Sequence, residues 1–360
     1  MKEKNRLRKW LAPFSWIYGS GVVMRNWLFD RQIKKSVEFE LPVISVGNLS
    51  TGGTGKTPHV EYLIRLLRNQ YQLGVLSRGY KRKTEGYYLS SDTSTVDEVG
   101  DEPLQIKKKF PDVMVAVCEE RVIGIPIMLL ENPALQVVIL DDAFQHRQVK
   151  AGLSILLTDY SKLFTKDQLL PAGNLREPSS GAQRADVIIV TKCSPKISAD
   201  EEKRISREVR MNEGQPVLFS SMAYDEPYHA FDATRKLSLN SSTTALLVTA
   251  IVSGRILLNE LKKSGAIVTH LEFRDHHRFS LKEIRGMITK VKEISKDNPI
   301  IITTEKDMTR LIPYHDLFAS EQVEIYCAPV QVKFIGDDEA IFNSMILDFV
   351  EAKLKDSSDG

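Results

Sequence analysis

Residues 42–68 run in an order that few folds accommodate: a short apolar stretch, a glycine loop, then a helical pattern. Val43, Ile44 and Val46 read as a strand, which Pro42 can open without costing a central ladder bond. Gly52, Gly53 and Gly55 precede Lys56 and Thr57, and Pro58 falls where a helix can spare its N–H. Val60, Leu63, Ile64 and Leu67 then recur at helical spacing, so the helix should reach about Arg68. Glycines let backbone N–H groups turn inward, and the new helix adds its positive end. Phosphate is expected there, with Lys56 on the β- and γ-phosphates and the Thr57 hydroxyl on Mg²⁺. The usual G-x-x-x-x-G-K-[ST] spacing would want glycine where this chain has Ser50. A plain glycine-rich turn is the alternative. The strand before and the helix after favour a nucleotide site.

From Glu40 onward, apolar stretches alternate with helical patterns. Residues 73–77, 113–117, 137–140, 155–157 and 187–190 read as buried strands, with helices expected over 102–110 and 121–130. Near-continuous apolar strands separated by helices predict a doubly wound, mostly parallel α/β sheet of the P-loop NTPase kind. Residues 80–100 read as a polar excursion, a hairpin or lid, and 221–243 as connection. Alternation resumes with strands at 245–251, 267–273, 300–303 and 323–327 and helices at 255–263, 281–294 and 340–350, a second, smaller α/β domain. The expected division is 1–30, 31–222 and 223–360, with the last helix closing the second unit or folding back on the first. A chain of 360 residues can fill two such cores. A net charge of +2 suggests no nucleic-acid role. Cys118, Cys193 and Cys327 lie far apart, which argues for a reducing compartment without structural disulfides or zinc.

The first 30 residues differ from the rest. Lys2, Lys4, Arg6, Arg8 and Lys9 precede a segment holding all three tryptophans, Trp10, Trp16 and Trp27. Basic residues beside Trp, Phe and Leu suit a membrane interface. A helix packed on the domain, its cations merely solvated, is the competing reading. Pro13, Ser15 and Gly19 break the apolar part, which argues against a signal peptide. No stretch of 18 apolar residues is present.

Ionisable residues collect at strand ends, where open α/β sheets gather ligands. Asp141 and Asp142 follow the strand 137–140 and suit Mg²⁺ or its water, although Asp is also a common N-cap. Gln145 and His146, one turn on, can face the same cleft. Asp101 and Glu102 open a helical stretch, as cap and dipole partner, or with Asp101 as a base aimed at a hydroxyl. Arg121 is a phosphate or substrate cation, or a solvated one. In the turn-rich loop 170–178, Arg176 can stabilise transferring charge and Glu177 can hold metal or orient Arg176. Asp275-His276-His277 ends another strand, where a carboxylate-oriented histidine suits proton transfer. Thr304-Glu-Lys-Asp307 is an N-cap or a weak echo of a base-recognition motif.

Together, Ser45-Val-Gly-Asn48, Gly52-Gly-Thr-Gly-Lys-Thr-Pro58, Leu76-Ser-Arg-Gly-Tyr80, Gly100-Asp-Glu-Pro103, Leu140-Asp-Asp-Ala-Phe-Gln-His146, Leu170-Pro-Ala-Gly-Asn-Leu-Arg-Glu177, Asp275-His276 and Thr303-Thr-Glu-Lys-Asp307 closely resemble the tetraacyldisaccharide 4′-kinase family, in the family's order and over nearly the whole chain. Ala143 stands where the family usually has glycine, a small change. The resemblance implies transfer of the ATP γ-phosphate to the 4′-hydroxyl of the lipid A disaccharide precursor. It implies a peripheral enzyme on the cytoplasmic face of a Gram-negative inner membrane, docked by its aromatic N-terminus on an anionic surface. By the same resemblance, Asp101 acts as base with His276. Lys56, Thr57, Asp141, Asp142, Arg176 and Glu177 serve phosphate and Mg²⁺. Asn48, Thr51, Gly52, Gly53, Thr54 and Gly55 complete the ATP loop, and Arg78, Glu102, Arg121, Gln145 and His146 face the substrate. Two α/β domains that close on nucleotide are implied, and a monomer is expected. The alternative from another class is a nucleotide-switch ATPase or GTPase that loads a partner protein. A soluble small-molecule kinase is a third reading.

Overall fold

The computed structural model describes residues 10–251 and 254–358. The basic run from Lys2 to Lys9 lies outside them. Eight strands come first: β1 (Val43–Asn48), β2 (Leu73–Ser77), β3 (Tyr88–Leu89), β4 (Met114–Val117), β5 (Val137–Asp141), β6 (Leu153–Asp159), β7 (Val187–Thr191) and β8 (Val217–Tyr224). A second set follows: β9 (Tyr228–His229), β10 (Asp232–Lys236), β11 (Thr244–Thr249), β12 (Ile267–Glu272), β13 (Ile300–Thr304) and β14 (Glu324–Ala328). The last strand, β15 (Val330–Phe334), returns to the first set.

The larger sheet has the order β15-β8-β7-β6-β1-β5-β2-β4-β3. It is parallel except for β3 and β15, which pair antiparallel at its two edges. The smaller sheet runs β10-β9-β14-β13-β11-β12, parallel from β12 to β14. Strands β1, β2, β5 and β7 are buried along their whole length, as their apolar runs require of a sheet covered on both faces.

Helices supply the cover: α1 (Ala12–Asp30), α2 (Lys56–Leu67), α3 (Asp101–Lys109), α4 (Arg121–Glu131), α5 (Ala199–Val209), α6 (Gly254–Lys263), α7 (Leu281–Ile294), α8 (Glu305–Leu311) and α9 (Asp338–Ser358). Val60, Leu63, Ile64 and Leu67 of α2 pack with Phe342, Ile346 and Val350 of α9 over β1, β5 and β6. Beneath the smaller sheet, α7 starts at a capping box formed by Ser280 and Glu283 and buries Ile284, Met287, Ile288 and Val291.

Three expectations need correction. Residues 221–243, expected as connection, contain the end of β8 and all of β9 and β10. The polar stretch 80–100 forms no hairpin of its own; it contributes β3 to the edge of the larger sheet and a single helical turn at Val96–Val99. The two sheets also do not part at 223, because β15 pairs with β8 and α9 packs on the larger core. The smaller sheet is therefore reached from β8 and left into β15. These two crossings lie side by side, with the Asp225 N–H donating to the Pro329 carbonyl at 3.2 Å.

Helix α1 packs on the domain by one face and leaves the other open to solvent. Ser15 and Gly19, which seemed to interrupt the segment, form its inner face. The Ser15 hydroxyl donates to the Leu169 carbonyl at 3.0 Å and accepts from the Ala172 N–H at 3.0 Å, while Gly19 lies against Leu169. The outer face shows Trp16 and Ile17 to solvent at 80% and 72% exposure, and Trp10, just before the helix, is 81% exposed. Among the described residues no helix is long and apolar enough to cross a membrane.

Candidate active site

Strand β1 delivers the glycine loop. Gly52 and Gly55 take positive φ, +116° and +88°, the region that favours glycine. Gly55 caps α2, so Lys56 and Thr57 begin the helix. The loop is tied down from two sides. The Asn48 side chain donates to the Thr54 hydroxyl at 2.9 Å, and the Thr191 hydroxyl donates to the Thr54 carbonyl at 2.8 Å. Lys192 reaches the Gly53 carbonyl, and the Thr51 N–H donates to the Asn174 carbonyl at 2.7 Å. The 170–178 segment therefore lies along the loop, and the Arg176 N–H closes it on the Leu49 carbonyl at 2.7 Å.

Val46 of β1 is in register with Asp141 of β5, so the acids stand beside the loop. Gly47 permits this closeness: a Cβ there would come within 2.6 Å of the Phe144 Cβ. Asp142, at φ +49°, turns its carboxylate to Lys56 at 3.5 Å and to Arg176 at 3.0 Å. Burial works against its charge, but Lys56 and Arg176 hold it below the ordinary carboxylate range. Asp141 differs. Burial, and then the Asp142 charge, push its carboxyl up to about 7. Its Oδ1 is buried without a hydrogen-bond partner among the described residues.

Hard oxygen donors in such a place suit Mg²⁺. Asp141 and the Thr57 hydroxyl are the residues that would hold it. Glu177 is already engaged: its oxygens accept from Asn26 at 3.1 Å, Gln145 at 2.8 Å and Arg184 at 2.8 Å. Its visible work is to join α1, the 145 turn and the 170–178 loop.

Raising the Asp141 pKa means the folded chain holds a proton that the unfolded chain releases at lower pH. Apo stability should therefore fall as pH rises from about 4 to about 7. Asp141→Asn should flatten that fall in thermal melts and weaken the stabilisation gained from MgATP. An unchanged pH slope would show that Asp141 carries no such strain.

Arg121 is buried rather than solvated. It donates to the Cys118 carbonyl at 3.0 Å and the Asp141 carbonyl at 3.2 Å, which fixes the end of β5. Burial draws its pKa down to about 10. Arg78, exposed just after β2, adds a second cation near Arg121 and His146. Burial and these two arginines lower His146 to about 4. Gln145 donates to the Asn48 carbonyl at 2.8 Å as well as to Glu177.

The smaller sheet reaches the same neighbourhood. Asp101, in the first turn of α3, is capped by Gly100 and so is not itself the cap. Its carboxylate meets His276 Nδ1 at 2.8 Å, across 175 residues of sequence. His276 sits just beyond β12 in a left-handed conformation, φ +61°, with Tyr80 edge-on to its ring at 5.9 Å. Arg310 of α8 also grips Asp101, Nε to Oδ1 at 2.9 Å, and reaches Asp307 at 3.0 Å. Burial opposes the Asp101 charge, yet hydrogen bonds from His276 and Arg310 hold its carboxyl well below the usual range. Lys306 bridges Glu102 at 2.6 Å and His276 Nε2 at 3.3 Å.

Arg310 and Lys306 were missed as site residues in the sequence. The Thr304-Glu-Lys-Asp307 motif proves to be an N-cap, its Thr304 hydroxyl accepting from the Asp307 N–H at 3.1 Å, and it starts the helix that presents both cations. A deeper bridge runs behind them: Lys109 joins Glu61 of α2 at 2.6 Å to Glu305 of α8 at 2.7 Å.

The sequence model of the family described as Tetraacyldisaccharide-1-P 4′-kinase matches residues 7–351. This chain belongs to that family. A tetraacyldisaccharide 4′-kinase from Bacteroides fragilis is 44% identical over 98% of this chain and 96% of its own length. One from Parabacteroides distasonis is 45% identical over 97% and 96%. Among solved structures, the Aquifex aeolicus LpxK crystallised in complex with ATP superposes with a TM-score of 0.73 at 30% identity, covering 96% of this chain and 99% of that one. Membership in this kinase family sets aside the nucleotide-switch alternative.

Proposed function

We propose that this chain moves the γ-phosphate of ATP to the 4′-hydroxyl of a tetraacylated glucosamine disaccharide 1-phosphate. One observation carries the reading beyond family likeness. A phosphate loop and a buried carboxylate stand on the larger sheet, and a histidine from the smaller sheet holds that carboxylate, an arrangement that suits phosphoryl transfer to an alcohol. The glycine loop and Lys56 bind and orient the triphosphate. Mg²⁺, held by Asp141 and Thr57, would supply charge neutralisation on the phosphate oxygens. Arg176, beside Asp142, is placed to meet charge spreading over the transferring group. The sugar oxygen forms its bond to the γ-phosphorus as the bond to the β,γ-bridging oxygen breaks, and the hydroxyl proton passes to the Asp101–His276 pair. Asp101 is a weak base in this arrangement. That suits a loose transition state, where the proton leaves late and the carboxylate mainly aims the hydroxyl. Glu102, Gln145 and His146 are the substrate-facing set, Arg121 is buried behind them against the Asp141 carbonyl, and Arg78 adds a cation at the edge. The two sheets are read as cores of two domains that close over nucleotide. ATP-dependent phosphorylation of the lipid A disaccharide precursor by the purified chain tests the reading, and its absence with intact ATP binding would refute it.

Placement on the cytoplasmic face of an inner membrane, as a peripheral monomer, belongs to the same proposal. The outward apolar face of α1 supports it. Trp16→Glu with Ile17→Glu should reduce binding to anionic vesicles by about tenfold or more, since each loses an apolar side chain and gains a repelled charge. Equal vesicle pelleting by wild type and variant would favour a soluble small-molecule kinase.

A further inference from the structure

Lys306 and Arg310 stand one turn apart on α8, so both reach from the same side of the helix. Arg310 takes one end of the Asp101–His276 pair, forked on the carboxylate at 2.9 and 2.5 Å. Lys306 takes the other end, its Nζ 3.3 Å from His276 Nε2. An ammonium has only donors to offer, so Nε2 accepts with its lone pair. The imidazole then carries its single proton on Nδ1, which donates to Asp101 at 2.8 Å. Asp275 does not compete for this tautomer: its carboxylate lies 3.8 Å from Nε2, too far for a hydrogen bond. His276 is therefore held neutral, and the lone pair with which it would take up a proton is already engaged.

Lys306 is also tethered. Its shorter contact is to the Glu102 carboxylate at 2.6 Å, and both side chains are 22% exposed, so the contact borders the cleft. Glu102 stands close enough to Asp141 for its charge to weigh on that carboxyl, which links the Lys306–Glu102 pair to the phosphate side of the site. A charge-assisted bond to a carboxylate is stronger than one to a neutral imidazole. Lys306 can therefore leave Nε2 without becoming an unpaired cation. A base in a kinase faces a competitor, since water is smaller and more abundant than any sugar hydroxyl. A lone water has little with which to dislodge an anchored ammonium. A large acceptor does, because contacts far from the reacting hydroxyl supply binding energy for the exchange.

We propose that Lys306 is a positioning residue that keeps His276 Nε2 closed to water and yields it to the acceptor hydroxyl, so that the γ-phosphate goes to the sugar and not to solvent. The proposal rests on the acceptor reading given under Proposed function. While Lys306 is engaged, the proton of a nucleophile has no lone pair to enter at Nε2. When the acceptor seats, Lys306 falls back on Glu102 and the hydroxyl turns its proton to Nε2 and its oxygen to the γ-phosphorus. Without Lys306, water takes that place. Its oxygen bonds to the γ-phosphorus, the bond to the β,γ-bridging oxygen breaks, its proton passes to Nε2, and ADP and inorganic phosphate result.

The test follows release of inorganic phosphate from MgATP by the full chain with no acceptor present. Lys306→Met removes the charge and keeps much of the length, and it should raise that release by about tenfold or more, a part of what a positioned base supplies. Lys306→Met/His276→Ala should return it to the wild-type level. Lys306→Arg should keep it low, since a guanidinium still offers donors to Nε2 and Glu102. With the disaccharide acceptor in micelles, Lys306→Met should make less phosphorylated lipid per ATP consumed. A side chain needed only for structure would lower hydrolysis and transfer together, so unchanged or reduced phosphate release in Lys306→Met overturns the proposal. A rise that persists in the double variant overturns it too, because the water would then not be using His276. Nitrogen NMR of the histidine-labelled wild-type chain needs no change at Lys306. His276, identified by the signal lost in His276→Ala, should carry its proton on Nδ1 and none on Nε2, and a proton on Nε2 refutes the arrangement. Hydrolysis raised through His276 in Lys306→Met, with the lipid disaccharide left unphosphorylated by wild type, supports the closure against water and overturns only the acceptor reading.

Discussion

Asp101→Ala and His276→Ala should each slow single-turnover phosphoryl transfer by about 10²–10⁴-fold, and the double variant should be little slower than either. The two side chains meet at 2.8 Å, one from α3 and one from beyond β12, and neither touches the glycine loop. A histidine donating to a carboxylate fixes that carboxylate's direction, so removing either partner misaims the other. ATP affinity should change little in all three variants. Asp101→Ala also leaves the buried Arg310 short of its main partner, which costs stability by itself. Asp101→Asn keeps the shape and some hydrogen bonding while abolishing the proton acceptor. It should therefore melt closer to wild type than Asp101→Ala while remaining as slow. Fully additive losses in the double variant would mean that the residues act separately, and the pair would then be abandoned as a unit.

Lys56→Ala should cost at least about a hundredfold in turnover, the scale for one electrostatic contact to a transferring phosphoryl group. Lys56 stands 3.5 Å from both the Asn48 side chain and Asp142. Its loss removes a cation from the phosphate site and half of the charge that keeps Asp142 ionised. MgATP affinity should fall together with turnover, which distinguishes this variant from Asp101→Ala. Near wild-type turnover and affinity would end the assignment of residues 47–57 as the nucleotide loop.

The nucleotide side of the site was legible because its parts are neighbours in sequence. Strand, glycines, Lys56 and helix carry one local logic, and Asp141 stands out as an acid closing an apolar strand. What was hidden is non-local or disguised. Arg310 and Lys306 lie on a short helix surface, where basic residues usually face water, and only folding shows Arg310 to be buried. Strand β8 carries Ser220 and Ser221 in its buried middle, which weakens the apolar run that marks a strand. Strand β10 is exposed throughout and shows no inward face to read. Ser15 and Gly19 carried a second meaning that spacing alone does not show, because small residues that break an apolar pattern also let a helix sit close to a loop.

The way the smaller sheet is joined has a mechanical corollary. Both peptide crossings, 225–227 and 329, run together at the edge where β8 meets β15. Covalently, the smaller sheet hangs from the larger one as a page hangs from its spine. Swinging about that line breaks no ladder bond inside either sheet. The principal contacts opposing such a swing are ionic: Asp101 with Arg310, Glu102 with Lys306, and Lys109 with Glu61 and Glu305. Apolar jigsaw surfaces lose most of their attraction within an ångström of separation, whereas charged clasps weaken gradually and can exchange partners with an incoming polyanion. A spine of two strands faced by exchangeable clasps leaves His276 and Arg310 of the smaller sheet against Asp101 of the larger unit across a seam that charge holds.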